Sequence, residues 1–507
     1  MSRLLIAGVL AGYFLSIIVF KSASSSLIPT SLSPWPNGQS RGHTSSNLSW
    51  YAPVASHINN LASVINGTGT HGFIYNSSEL PEDVPYGTYN WCNMPHVRRT
   101  EYPKVNSSYS LEYVEVIHRH HKRTPYAANT FPVETYPWYC DDEGLFFYGA
   151  PLPPQGANNS ANTYWKVYTS PTNPLVPRGF QGTCQFPQIT RGGLDDSWQH
   201  GRDLYGVYHD MLGFLPKKYD PNVISFRVTN NIITSQVASM VVSGMFAHQA
   251  DQDTALLIQP TSIDSLEPGY QCPAAADKFA LYGPGSSHPG WTAHLEAAAS
   301  LYADLDAISG VSPTDSGFHM SFDHYFDNLS ARLCHAKPLP CNASDSSLCV
   351  TRAMADEVFR LGQYEYSYLY RDAGVQTLEY TVGKYGIWIA ELAQNLREAA
   401  QGDGSKTKSG MRYRHNVAHD GSISYILSIL QVESMVWPGM GSEVVFELYK
   451  RQEDQQYYIR VLWGGQVLRS SKMAFGLLDM VPVDLLLTYF DELVGQKAKK
   501  IPGLCGL

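Results

Sequence analysis

The chain of 507 residues is poor in charge: Asp, Glu, Lys and Arg make up 16% of it, and the formal net charge is -9. That balance argues against bulk nucleic-acid binding, which needs a basic face. The motifs GxSxG, GxxxxGK[ST] and HExxH are missing. Their absence removes the common serine-hydrolase, nucleotide-binding and zinc-protease readings. None of the eight cysteines sits in a CxxC, and no internal repeat is visible. The cysteine spacing therefore does not fit a zinc site.

Apolar residues reach 44%, a globular composition, and the length suggests two or three domains. Residues 1–24 read as a targeting segment: Arg3 precedes an apolar run over residues 4–20, and Ser22-Ala23-Ser24 offers small residues for cleavage. A cleaved signal is the first reading and a type II membrane anchor through residues 4–20 the alternative. Either places the body outside the cell or in the secretory lumen. Sequons at Asn47, Asn66, Asn76, Asn106, Asn158, Asn328 and Asn342 suit a protein carrying N-glycans. In that compartment the eight cysteines read as disulfides, with a local bridge expected among Cys334, Cys341 and Cys349, and Cys505 pinning the tail.

Residues 25–50 have a Ser/Pro-rich linker composition. An amphipathic helix is expected over 51–66, a strand over 111–118, a helix over 190–214 and a strand over 222–226 ending at Arg227. A helix over 234–246 and a short strand over 254–259 follow. Helical patterns dominate 291–402. A strand over 411–418, an apolar helix from Ile423, a hairpin of 443–449 with 457–463 and a last helix over 484–494 complete the chain. The division predicted is an α/β domain built from 51–260 and 405–507, with a mainly α cap over 261–404 inserted between them.

The stretch that carries chemistry is LEYVEVIHRHHKRTP, residues 111–125. A β-branched strand runs straight into Arg119, His120, His121, Lys122 and Arg123. Alone, such a run is more often a solvated basic face. His118 and His120 share one face of an extended strand, but no third metal ligand is indicated. His419-Asp420, taken alone, would be an ordinary helix start. Yet three strands end in Arg119-His120, Arg227 and His419-Asp420, and ligands collect beyond the carboxyl ends of strands in open α/β sheets. If those strands are neighbours, three guanidiniums and two imidazoles converge on a tetrahedral dianion. A neutral imidazole among them can attack phosphorus, and Asp420 can protonate the leaving alkoxide.

Arg119-His120-x-x-Arg123-x-Pro125 resembles the RHGxRxP signature of the histidine acid phosphatases, branch 2 of the histidine phosphatase superfamily. His419-Asp420 resembles that family's HD pair. Thr190-x-x-Gly193, Phe226-Arg227-x-Thr229, Ser243 to Phe246, Trp437-Pro438 and Phe446 to Leu448 fall in the family's order. The resemblance implies a three-layer α/β/α domain with a central mixed sheet, of the phosphoglycerate-mutase-like kind, beneath a smaller α-helical cap. It implies His120 as the phosphorylated nucleophile, Asp420 as proton donor, and Arg119, Arg123, Arg227 and His419 as phosphate ligands. No cofactor and no metal are expected, and the partner is a small-molecule phosphomonoester, as for secreted acid phosphatases and phytases. Two departures stand out. His121 replaces the family's glycine, and Asn231 and Ile233 replace its acidic and arginine residues. They motivate an alternative: a catalytically weak or inactive secreted member that binds phosphorylated or sulfated ligands.

Overall fold

The computed structural model describes residues 48–72, 91–132, 134, 137–140, 167–168, 170, 172–175, 182–246, 254–401 and 410–507. The targeting segment, most of the linker and the sequons at Asn47, Asn76 and Asn158 lie outside the described residues.

Strands β1 (Tyr109–Arg119), β2 (Ile224–Val228), β3 (Leu256–Leu257), β4 (Tyr413–Ala418), β5 (Glu443–Arg451), β6 (Tyr457–Trp463), β7 (Gln466–Val467) and β8 (Val481–Pro482) form one mixed sheet in the order β3-β2-β4-β1-β5-β6-β7, with β8 on β6. β1 runs parallel to β4, and β4 and β3 each run parallel to β2. The other edge of β1 pairs antiparallel with β5. β1 is a central strand because its residues are apolar on both faces. Val114 and Val116 join one core with Val237 and Val241 of the helix Ile232–Met245, while Tyr113 and Ile117 join another with Leu392 and Leu396 of the helix Val375–Ala400. The sheet is thus covered on both sides, as in a three-layer α/β/α architecture.

Four helices position the site, and we number them α1 (Arg191–Tyr205), α2 (Ile232–Met245), α3 (Val375–Ala400) and α4 (Asp420–Ile429). Thr190 caps α1 through its hydroxyl, and Asn231 caps α2. The helices 299–309, 323–334 and 352–367 build a further core around Phe326, Leu329 and Leu361, to which Trp437 also belongs.

Local expectations are corrected at three places. The helix expected over 51–66 is confined to Leu61–Asn66. Upstream, backbone groups are taken by distant partners: Tyr51 N–H donates to Gln431 Oε1 (2.7 Å) and Val54 N–H to the Glu433 carbonyl (2.9 Å). β2 extends to Val228, so Arg227 lies inside the strand and Thr229 follows its end. The sequon at Asn328 is fully buried, its amide donating to the Asn129 carbonyl at 2.8 Å, so it is no glycan acceptor in the folded chain. Asn66 and Asn106 are exposed.

All eight cysteines pair, as Cys92–Cys334, Cys140–Cys184, Cys272–Cys505 and Cys341–Cys349. The local bridge and the pinned tail are both present. Cys272–Cys505 closes a loop spanning 233 residues. Replacing both of its cysteines by serine is expected to cost about 2–5 kcal/mol, read as a lowered denaturant midpoint. An unchanged midpoint would show that the tail is held by packing alone. Among the described residues, no helix is long and apolar enough to cross a membrane.

Candidate active site

β1 and β4 deliver their carboxyl ends side by side, with Arg119 opposite Ala418 in register. His120 N–H continues the ladder to the Ala418 carbonyl at 3.0 Å. The chain therefore turns into the site at His120 on one strand and at His419-Asp420 on the other. The His120 and His419 rings meet edge to face, with centroids 5.4 Å apart.

His120 is buried, and its Nδ1 lies 3.0 Å from the His121 carbonyl oxygen. A carbonyl only accepts, so Nδ1 carries the proton and Nε2 keeps its lone pair. Burial, then the neighbouring guanidiniums of Arg119 and Arg123 and the nearby His419 ring, push the imidazole pKa well below its ordinary 6.5. The ring is therefore neutral in mild acid.

Arg119 is buried beneath Trp91, whose ring centroid is 5.2 Å from the guanidinium carbon. Its Nη1 donates to the Pro438 carbonyl at 2.6 Å and its Nη2 reaches Asp420 Oδ2 at 3.1 Å. Its Nε is buried without a partner among the described residues, a donor that an anion could satisfy. Arg123 stacks on Tyr126 at 4.0 Å and is held by Asp327 at 3.0 Å. Asp420 accepts from Gly421 N–H and from Trp437 Nε1–H, both at 2.8 Å. Burial works to raise its carboxyl, but Arg119, Trp437, His419 and Gly421 outweigh it and hold the group below the usual carboxylate range. His419 Nε2 meets the Thr229 hydroxyl at 3.0 Å and Glu267 Oε2 at 3.3 Å.

Five of the six residues singled out in the sequence lie at this junction. Arg227 is the exception. Its Nη1 bonds to Glu391 at 2.8 Å, and its Nη2 to Gln259 at 2.6 Å and Ser265 at 2.8 Å, with Asp264 at 3.4 Å. Arg119 and Arg123 thus flank His120, while Arg227 is engaged by these acidic and amide partners. β2 ends one residue beyond Arg227, and it is Thr229 that reaches His419. Ile233 is fully buried in the apolar core of α2, so no cation enters from that position either. Sequence reasoning missed Glu267 and Asp327. Each lies more than a hundred residues from the group it contacts, and neither sits in a motif.

Behind the junction His121 is fully buried, and its Nε2 lies 3.1 Å from His200 Nδ1. His200 Nε2 in turn meets Glu443 Oε2 at 2.9 Å. Burial pushes the Glu443 carboxyl up to about 7, against the pull of His96 and of the Val97 N–H that it accepts. Gly441, at a φ of 72°, gives the His121 ring its space; a Cβ there would stand 2.4 Å from Cε1.

Residues 361–463, which carry β4, the His419-Asp420 pair and Trp437, match the model of the histidine phosphatase superfamily (branch 2). Over those residues the chain is similar to that family, and its relatives include phosphatases. Counting factor 60 of Dictyostelium discoideum is 23% identical over 376 residues, covering 72% of this chain and 82% of that protein. Human lysophosphatidic acid phosphatase type 6 is 22% identical over 374 residues, covering 72% and 79%. Among solved structures, a Hafnia alvei phytase bound to tartrate aligns with a TM-score of 0.49 at 12% identity, over 78% of this chain and 99% of that one.

Proposed function

We propose that the chain hydrolyses phosphomonoesters through a covalent phosphohistidine on His120. The observation that carries this reading is the fixed tautomer: Nδ1–H is spent on the His121 carbonyl, so Nε2 is the nucleophile, held neutral between two buried guanidiniums. In the first step the Nε2 lone pair attacks phosphorus and the ester oxygen departs with a proton from Asp420. In the second, water attacks the phosphohistidine and Asp420 takes a proton back. Arg119, Arg123 and His419 hold the phosphoryl oxygens, where charge stabilisation does most of the work of phosphoryl transfer. The helices over 299–367 serve as the cap over this site. The four disulfides and the exposed sequons at Asn66 and Asn106 support a secreted or lumenal setting.

Arg227 is assigned an anchoring role between β2 and α3. Arg123→Ala is expected to lower kcat/KM for an aryl phosphate by about 10²–10³-fold. Arg227→Ala should cost less than about tenfold in kcat/KM and act mainly on thermal stability. Steady-state kinetics and melting curves on the two variants check this, and a larger kinetic loss in the Arg227 variant would return that residue to the phosphate site.

A second reading is favoured by the Glu267 carboxylate against His419 and by the missing third guanidinium. Both weaken a dianion site and suit a family member that binds phosphorylated or sulfated ligands with little turnover. Phosphate release by the wild-type protein, assayed from about pH 3 to pH 7, separates the two. Saturable turnover supports the enzyme; sulfate or phosphate binding with no turnover supports the binder.

A further inference from the structure

The strand that carries His120 also carries the front of a buried imidazole cluster that phosphoryl transfer does not use. His118 is the second-to-last residue of β1, His121 follows His120, and His200 comes from α1. All three are fully buried, and one ring nitrogen of each lies within 4.8 Å of the others. We infer that His118, His121 and His200 form a buried binding site for one transition-metal dication, zinc(II) by the chemistry of its ligands.

The ring nitrogens sort themselves into those already committed and those that face one another. His118 Nδ1 donates to the Arg119 carbonyl at 2.8 Å, which leaves Nε2 as its lone-pair nitrogen. His200 Nε2 is taken by Glu443 at 2.9 Å, which leaves Nδ1. Nearly every metal-binding histidine makes such a bond through its other nitrogen, to a carbonyl or a carboxylate, and here two of three already do. His121 Nε2 stands 3.1 Å from His200 Nδ1. Two imidazole nitrogens at that distance share either a proton or a cation. His121 Nδ1 is buried with no partner among the described residues, so hydrogen bonding alone leaves this imidazole incompletely satisfied in a position where the family motif carries glycine.

The surroundings suit the ion. His415 Nε2 stands 2.8 Å from His118 Nε2, and Tyr413 holds its other nitrogen at 2.9 Å, so a bound ion would displace the His415 hydrogen bond from that lone pair. His96 stacks on His200 with centroids 4.2 Å apart and pairs with Asp203 at 2.8 Å. Glu443 fixes the His200 ring through its Nε2 at 2.9 Å. Imidazoles without a thiolate fit zinc, and all three rings are fully buried. Such an ion would fasten the chain on both sides of His120, since His118 grips the Arg119 carbonyl and the His121 carbonyl takes the His120 Nδ1–H. This inference stands independently of the phosphohistidine reading, because it needs no turnover.

The test loads the purified full-length protein with zinc, removes free metal by gel filtration, and counts zinc by elemental analysis. The wild type is expected to retain about one zinc per chain, and His121→Gly and His200→Gln about tenfold less at unchanged circular dichroism. His121→Gly restores the residue of the family motif next to Gly441 and is the variant chosen to keep the fold. Cobalt(II)-loaded wild type should show visible ligand-field absorption, a readout that needs no variant. A folded wild type that holds less than about 0.1 zinc after loading, and gives no such absorption with cobalt, overturns the inference. So does zinc retained equally by wild type and folded variants, which would place the ion elsewhere.

Discussion

His120→Ala is expected to abolish phosphate release from an aryl phosphate, a loss of at least ~10⁴-fold, because removing a nucleophile removes the whole two-step route rather than one contact. The fold should survive. The apolar side chains that seat β1 are Val114, Val116 and Ile117, and the His120 backbone bond to Ala418 does not depend on its side chain. Melting curves alongside the assay make the result interpretable: a folded variant that still turns over would sink the phosphohistidine mechanism. The pH profile of the wild type carries the same information. The nucleophile works when deprotonated, and its pKa lies well below 6.5. Activity should therefore persist as the pH drops through 6.5 and fail only in stronger acid. A rate that collapses at an apparent pKa near 6.5 would contradict the neutral, arginine-flanked imidazole.

Asp420→Asn is expected to cut turnover of an alkyl phosphate by about 10²–10⁴-fold while costing a nitrophenyl phosphate less than about tenfold. An alkoxide needs a proton to leave; a nitrophenolate does not. In the free protein Asp420 is held ionised by Arg119, Trp437 and Gly421, and an ionised carboxylate is no donor. A phosphate dianion arriving at Arg119 shares that guanidinium and adds negative charge nearby, which moves the carboxyl upward toward protonation. The ester thereby prepares its own acid. Equal losses for both substrates would instead make Asp420 a group that merely orients Arg119.

The outline of this site was legible where local pattern and chemistry coincide. The β-branched run from Tyr113 to Ile117 predicts a strand, and the cationic turn and the His-Asp pair fall at the ends of strands that pair in parallel. The end of β2 was read two residues short, at Phe226 instead of Val228, because strand ends read from sequence drift by one or two residues. The partners of His121 were not legible at all. His200 is 79 residues away and Glu443 is 243 from His200, so only tertiary packing reveals them. The same holds for the segment before Leu61, whose amphipathic pattern lost to hydrogen bonds with residues beyond 370.

The position of β1 between β4 and β5 has a consequence for synthesis. The His118–His415 bond spans 297 residues. At about 5–20 residues per second, roughly 15–60 s separate the emergence of His120 from that of the strand that completes its surroundings. Throughout that interval His120 and its arginines belong to an unpaired apolar strand with both edges open. A nascent chain ending before β5 should therefore be both inactive and dependent on chaperones, and the enzyme should come into being all at once, near the end of translation.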